Sequence, residues 1–284
     1  MQELLIQILI NGLVSGSAIA LVALGFSLVY HTTRIFHITF AALYASGGYL
    51  FWYLSVGQQF DLASSLFIAT LFPALLSLFL WLIIYKPLTN SGAEHNELMV
   101  ASVGIMMIII YLISLIMGDD PKLPSSALGK TLPARYLQLI VNIIVITVFL
   151  LITSTTRFGL RLRAFRDNPR LLGRLGINNF YLTGILFLLS GGIAGLSAGL
   201  STNDLGISPF TGVHVFINAF IAVVAGGSGR ISGAVAGGLF LGILQSAVVF
   251  LAGSEWILSL SFAVLIILML VKPDGLTGLA RREA

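Results

Sequence analysis

The stretch MQELLIQILINGLVSGSAIALVALGFSLVY, residues 1–30, decides the fold. Glu3 is its one charge apart from the chain terminus, and no basic segment precedes an apolar run far longer than the core of a secretory leader. A helix needs about 20 apolar residues to cross a bilayer, because each backbone N–H and C=O must be satisfied within the helix where water is absent. The stretch is therefore read as a retained first span. The rest of the chain agrees: 57% of its 284 residues are apolar, only 9% are charged, and 30 are glycine. A soluble domain carries roughly a quarter of its residues charged, so this is a polytopic membrane protein. With no cysteine, it has neither disulfides nor thiolate metal sites.

The same length criterion places further spans near residues 38–57, 62–85, 98–117, 137–156, 179–201, 231–252 and 255–271, eight in all. Residues 213–226 are apolar but short and bounded by Gly and Pro, hence either a ninth, compressed span or a broken, re-entrant segment. The expected fold is an all-α bundle of eight to nine transmembrane helices. No low-complexity tract or long linker divides it, so residues 1–284 form a single membrane domain.

Lys and Arg in short loops mark the cytoplasmic side. The densest cluster is RFGLRLRAFRDNPRLLGRLG, residues 157–176, with six arginines; Arg34, Lys86, Arg230 and a tail with Lys272, Arg281 and Arg282 fall on the same side. That assignment puts the N-terminus outside and the C-terminus in the cytoplasm, provided residues 213–226 cross. The loop at 118–136 then lies outside. Its Gly129-Lys130-Thr131 resembles the end of a phosphate-binding loop, but Pro124 stands where the first glycine belongs and no strand precedes it. No HExxH, paired carboxylates or Ser/His/Asp constellation occurs elsewhere, so no catalytic residue, metal site or cofactor is expected. The basic balance comes chiefly from the cytoplasmic loop and tail and calls for no nucleic-acid partner.

The interiors of the eight spans hold no Asp, Glu, Lys, Arg or His. Ion-coupled carriers commonly keep such residues in the membrane as relays or substrate partners, because their cost there is tolerated only for function. A chain without them draws its driving force from a partner. The arginine loop offers the contact. Asn168 suits an N-cap, Pro169 the first helical position and Gly176 a left-handed C-terminal stop. Between those stops Leu171, Leu172 and Leu175 share one face, with Arg166, Arg170 and Arg174 spaced four apart beside them. Two turns so charged cannot span; they form a surface helix with an apolar ridge rimmed by cations. The alternative is that the arginines only fix topology and touch lipid phosphates.

The run TRFGLRLRAFRDNPRLLGRLGINNFYL resembles the coupling-helix region of ABC importer permeases, specifically the branched-chain amino acid permeases of the LivH type. NGLVSGSAIALVALGFSLVY at 11–30, RIFHITFAALYASGGYL at 34–50, LSGGIAGLSAGL at 189–200 and AFIAVVAGGSGRISGAVAGGLFLGILQS at 219–246 resemble the same family in order, so nearly the whole chain is covered. The resemblance implies a multi-pass subunit of the cell inner membrane with a coupling loop near 157–178. It also implies a second permease subunit in a homologous heterodimer, two cytoplasmic ATPases that use the ATP, and an external binding protein that delivers a branched-chain amino acid. The chain departs from the family at Arg170, Leu171 and Leu172, where such permeases often show a Glu-Ala-Ala-like run before Gly. Permeases for urea, short amides or other amino acids, and an ion-coupled carrier, are the competing readings.

Glycines repeat every four residues at Gly191, Gly195 and Gly199 and at Gly229, Gly233 and Gly237; Ala234, Gly238 and Gly242, and Gly12, Gly16 and Ala20, do the same. Small residues on one face let helix backbones approach closely, within the subunit or at a seam between two permeases. Polar residues at helix breaks are the candidates for the pathway: His214 and Asn218 on the short segment, and Gly226, Gly227 and Ser228 beyond it. Asn203, Asp204, Ser208 and Pro209, which cap the outer end of the sixth span, are further candidates of the same kind. Arg34, flanked by His31 and His37, is read as an interfacial turn rather than a proton switch.

Overall fold

The computed structural model describes residues 2–123, 134–227 and 231–271. Pro124, Gly129 to Thr131, Ser228, Gly229, Arg230, Lys272, Arg281 and Arg282 lie outside the described residues, as do the side chains of residues 2–5 and of Arg170. The regular elements described are helices: α1 (Gln2–Thr33), α2 (Phe40–Trp52), α3 (Leu62–Leu80), α4 (Lys86–Asn90), α5 (His95–Met117), α6 (Ala134–Thr155), α7 (Arg157–Asp167), α8 (Pro169–Arg174), α9 (Asn179–Leu205), α10 (Thr211–Gly226), α11 (Ile231–Ala252) and α12 (Ile257–Val271). Wider π-type turns at Tyr53–Gly57 and Trp81–Tyr85 prolong α2 and join α3 to α4. One isolated bridge, Lys122 with Ile207, is the sole β pairing among them.

Seven described helices are long and apolar enough to cross a membrane. The expected spans at 38–57 and 213–226 are both helical but outside that set, so the count of eight to nine is not reached by length and composition alone. The cause is their position. All but two of α2's 13 residues are buried, so it carries Ala, Gly, Ser and Tyr fitted to other helices, where a lipid-facing helix would carry uniformly apolar side chains. α10 has 16 residues, about 24 Å at 1.5 Å each, short of a hydrocarbon core of roughly 30 Å. The outer helices show the opposite: 6% of the apolar window containing α12 and 11% of that in α5 is buried, against 72% in α1.

Backbone proximity organises the centre. α1 packs antiparallel on α11, where a β-carbon on Gly242 would collide with Gly16 and one on Gly238 would stand 2.5 Å from the Cα of Ala20. α9 packs on α3 through Gly191 and Gly195. Pro73 has no N–H to give the Ala69 carbonyl one turn back, and that oxygen occupies the space a side chain at Gly195 would need. Gly226 and Gly237 make the equivalent close approach between α10 and α11. The stripes at 191–199 and 233–242 thus face neighbouring helices of the same chain, not a seam between two permeases.

The arginine end is held by a buried polar knot. Arg34, at φ 61°, terminates α1 with its N–H on the Tyr30 carbonyl at 3.0 Å. The chain then turns inward so that His37 Nδ1 lies 2.9 Å from the Tyr85 hydroxyl, which donates to Ser102 Oγ at 2.8 Å, while Thr39 N–H donates to the same Ser102 oxygen at 2.9 Å. His31 and His37 are both buried; burial alone lowers His37 to about 3, so it is neutral. At the other end, Trp52 Nε1 donates to the Leu123 carbonyl at 2.9 Å and Lys122 pairs with Ile207, tying the loop after α5 over the α9–α10 turn.

Candidate functional site

Two features could carry function, one at each end. At the arginine end, α7 turns off α6 at Thr156 with Leu162 and Phe165 buried and its cationic face outward. Gly159 permits this: a β-carbon there would collide with the Thr153 carbonyl, which instead accepts from Arg163 Nη1 at 2.9 Å. The chain then breaks at Asn168, whose extended backbone separates α7 from α8, while its side chain accepts from Leu171 N–H at 3.0 Å. Pro169 takes the first helical position, and Gly176, at φ 79°, reverses the chain beyond.

Two expectations change here. Arg166 does not share a helical stripe with Arg170 and Arg174, because the break at Asn168 puts it on α7, where it contacts Asp167 at 3.1 Å. Leu172 does not belong to the exposed ridge. Neighbouring helical residues point about 100° apart, so α8 cannot lie on the bundle with both leucines outward. Leu172 is the one turned in, 3% exposed within the main core cluster, while Leu171 and Leu175 stay 53% and 70% exposed. Leu172 is thus an anchor, and the ridge is Leu171 and Leu175 beside the exposed Arg174.

At the opposite end a cavity of about 620 Å³ opens between α1, α6, α9, α10, α11 and α12, within the range usual for small-molecule sites. Most of its wall surface is apolar, with Val14, Ile19, Val22, Val215 and Val249 contributing, although polar residues such as Ser15, Thr211 and Ser246 stand between them. Polar groups are gathered at two levels. At the mouth, Arg135 on α6 reaches Asp204 on α9 at 3.3 Å and donates to Asn11 Oδ1 on α1 at 3.2 Å. Further in, Gln138 donates to Ser201 at 2.9 Å, and Gln245 on α11 donates to Asn218 Oδ1 at 3.1 Å and to Ser261 Oγ at 2.8 Å. These groups satisfy one another, which is the condition for keeping them away from water, whereas Ser197 Oγ, also on the cavity wall, is buried without a hydrogen-bond partner.

Of the pathway residues expected from sequence, Asn218 and Asp204 line this cavity, while Asn203, Ser208, Pro209 and His214, the last exposed on another face of α10, do not. Gly226 and Gly227 sit at the far end of α10, where Gly226 is buried against Gly233 and Gly227, at φ 101°, ends the helix. Asn11, Arg135, Gln138 and Gln245 were not anticipated as lining residues. Three of them carried a usable signal, an isolated amide in an apolar span; Arg135 lay just ahead of one.

Residues 8–270 match the family described as branched-chain amino acid transport system / permease component. The chain is 27% identical to the high-affinity branched-chain amino acid transport system permease protein LivH of Salmonella typhimurium, with 96% of this chain and 95% of that protein covered. It is 28% identical to the probable LivH of Methanocaldococcus jannaschii (96% and 92% covered) and 27% identical to BraD of Pseudomonas aeruginosa (96% and 95% covered). Among solved structures, PsaBC from Streptococcus pneumoniae in complex with Fab superposes with a TM-score of 0.54 at 12% identity, covering 93% of this chain and 91% of that one, a likeness of fold alone.

Proposed function

This chain belongs to the branched-chain amino acid transport system / permease component family, and on that premise we propose that it is the membrane-spanning subunit of an ABC importer for aliphatic amino acids. The observation that carries the reading is the cavity: aliphatic walls under a polar mouth, open at the end opposite the arginine cluster, in a body whose membrane spans offer no interior titratable relay. Apolar walls accept an aliphatic side chain and give polar solutes no replacement for water. The arginine end faces the cytoplasm under the positive-inside rule, the cavity faces outward, and an external binding protein delivers the solute to it. A second, homologous permease completes the membrane unit in the inner membrane, and two cytoplasmic ATPases dock on the coupling helices of the pair, one of them on α8 through Leu171 and Leu175.

The test is uptake in proteoliposomes. The chain with its partner subunits and binding protein accumulates leucine, isoleucine or valine when ATP is inside, and the chain alone under a sodium or proton gradient does not. Concentrative uptake by the lone chain, or a complete assembly that imports urea or short amides and no aliphatic amino acid, overturns the proposal.

A further inference from the structure

One member of the ion pair at the cavity mouth is set against its own helix. Asp204 is the penultimate residue of α9, where the macrodipole disfavours an anion. A local arrangement that contradicts its own electrostatics marks a site kept for use. The environment points the same way. Arg135 and Asp204 are 53% and 19% exposed, so the pair meets water on one side and aliphatic walls on the other. The only other ion pair between side chains of the described residues joins sequence neighbours, Arg166 and Asp167. Arg135, Asp204 and Asn11 come from α6, α9 and α1 and are held together by side chains alone.

We propose that Arg135 and Asp204 form a reader for the zwitterionic head of an α-amino acid, each occupying the other when no solute is present. Arg135 takes the α-carboxylate, Asp204 the α-ammonium, and the side chain enters the aliphatic cavity below. The solute's two opposite charges stand within a few ångströms of each other, as the pair's own do, so entry exchanges one ion pair for two without stranding a charge. Guanidinium suits this end because it presents its donors as a planar fork to carboxylate. The inference rests on the importer reading above and adds residue-level selectivity within the membrane subunit.

The absence of cysteine makes a direct test available. Ser15 lines the cavity, so Ser15→Cys in the full-length chain places a single thiol beside the proposed site. Its modification by a small methanethiosulfonate reagent is slowed by L-leucine. Leucinamide, lacking the carboxylate, and 4-methylpentanoate, lacking the ammonium, protect about tenfold less well, the loss expected for one charged hydrogen-bonded contact. Adding Arg135→Gln removes the preference for leucine over leucinamide, and Asp204→Asn removes the preference over 4-methylpentanoate. A clamp with only a structural role would weaken protection by all three solutes alike. Equal protection by all three, protection unchanged in both variants, or no protection by leucine overturns the assignment. Uptake is scored separately: an assembly that imports leucine while Ser15→Cys stays unprotected sinks the reader alone, and protection without import sinks the importer reading alone.

Discussion

Replacing the two leucines that α8 turns outward separates docking from folding. Leu171 and Leu175 expose 53% and 70% of their surface, and burying such a side chain completely stabilises by roughly 1.5–3 kcal/mol, so covering what is exposed contributes about 1–2 kcal/mol each. Leu171→Asp with Leu175→Asp removes both contributions and adds two desolvated carboxylates, weakening ATPase binding by at least about 2–4 kcal/mol, roughly 30- to 1000-fold in Kd. The free chain hardly notices, since surface substitutions usually stay within about 0.5 kcal/mol. Leu172→Ala does the reverse: 3% exposed, it costs about 2–5 kcal/mol of folding stability. The assay pairs ATPase affinity, by titration onto the chain in nanodiscs, with thermal melting of the chain alone. Normal affinity in the double aspartate variant refutes the docking surface; an unchanged melting temperature in Leu172→Ala refutes the anchor.

Gly195→Leu forces the side chain into the Ala69 carbonyl and separates α9 from α3, destabilising by at least about 1–3 kcal/mol as overpacking does; melting in detergent that matches the wild type would contradict the close approach. The buried turn predicts a pH effect. His37 has a folded pKa of about 3, below the ordinary 6.5 of the unfolded chain, so its contribution is fully present above about pH 6.5 and is lost as pH falls toward 3. Between pH 6.5 and 5 that loss is about 2 kcal/mol, visible as a falling melting temperature that His37→Gln flattens; an identical slope in the variant refutes it.

The sequence placed the inner helices α1 and α2 as well as the lipid-facing ones, but the apolar signal of α2 is weaker, for a physical reason. A span such as α12 or α5 declares itself because its exposed face must be apolar all along. α2 sits where protein replaces lipid, so its Tyr44, Ser46, Gly47, Gly48 and Tyr49 lower its apolarity while being the residues that fit it there. The glycine periodicity correctly implied close helix approach, but the partner of each stripe depends on tertiary pairing: that Gly195 meets Ala69 follows from Pro73, more than a hundred residues away in the chain. The caps of α8 were readable because Asn, Pro and Gly act locally. Which leucine faces in was not, since that is set by how α8 lies on the bundle. The mouth pair was the least legible. Arg135 and Asp204 stand 69 residues apart, each outwardly an ordinary charge at the edge of a span, and only the folded chain makes them partners.

α9 connects the two ends. Its first residue, Asn179, donates through Nδ2 to the Pro169 carbonyl of α8 at 2.9 Å, and its last turn carries Asp204 of the cavity mouth. α9 is 27 residues long, about 40 Å of continuous rod. A rod transmits displacement only if it is not free to bend or slide. α9 has no interior proline, and where its small residues meet α3 there is backbone against backbone, leaving no layer of mobile side chains to absorb a shift. α3 and α9 are therefore constrained to move as a pair. A movement imposed on α8 through Leu171 and Leu175 meets Leu172 in the core and Asn179 at the foot of this pair. At the other end the same rod holds one member of the charge pair, while Arg135 is on α6, which lacks that glycine-tight seam with α9. On the docking and reader proposals above, tilting α9 against α6 changes the distance between Arg135 and Asp204, so work done on α8 would reach the two groups that a zwitterion must part.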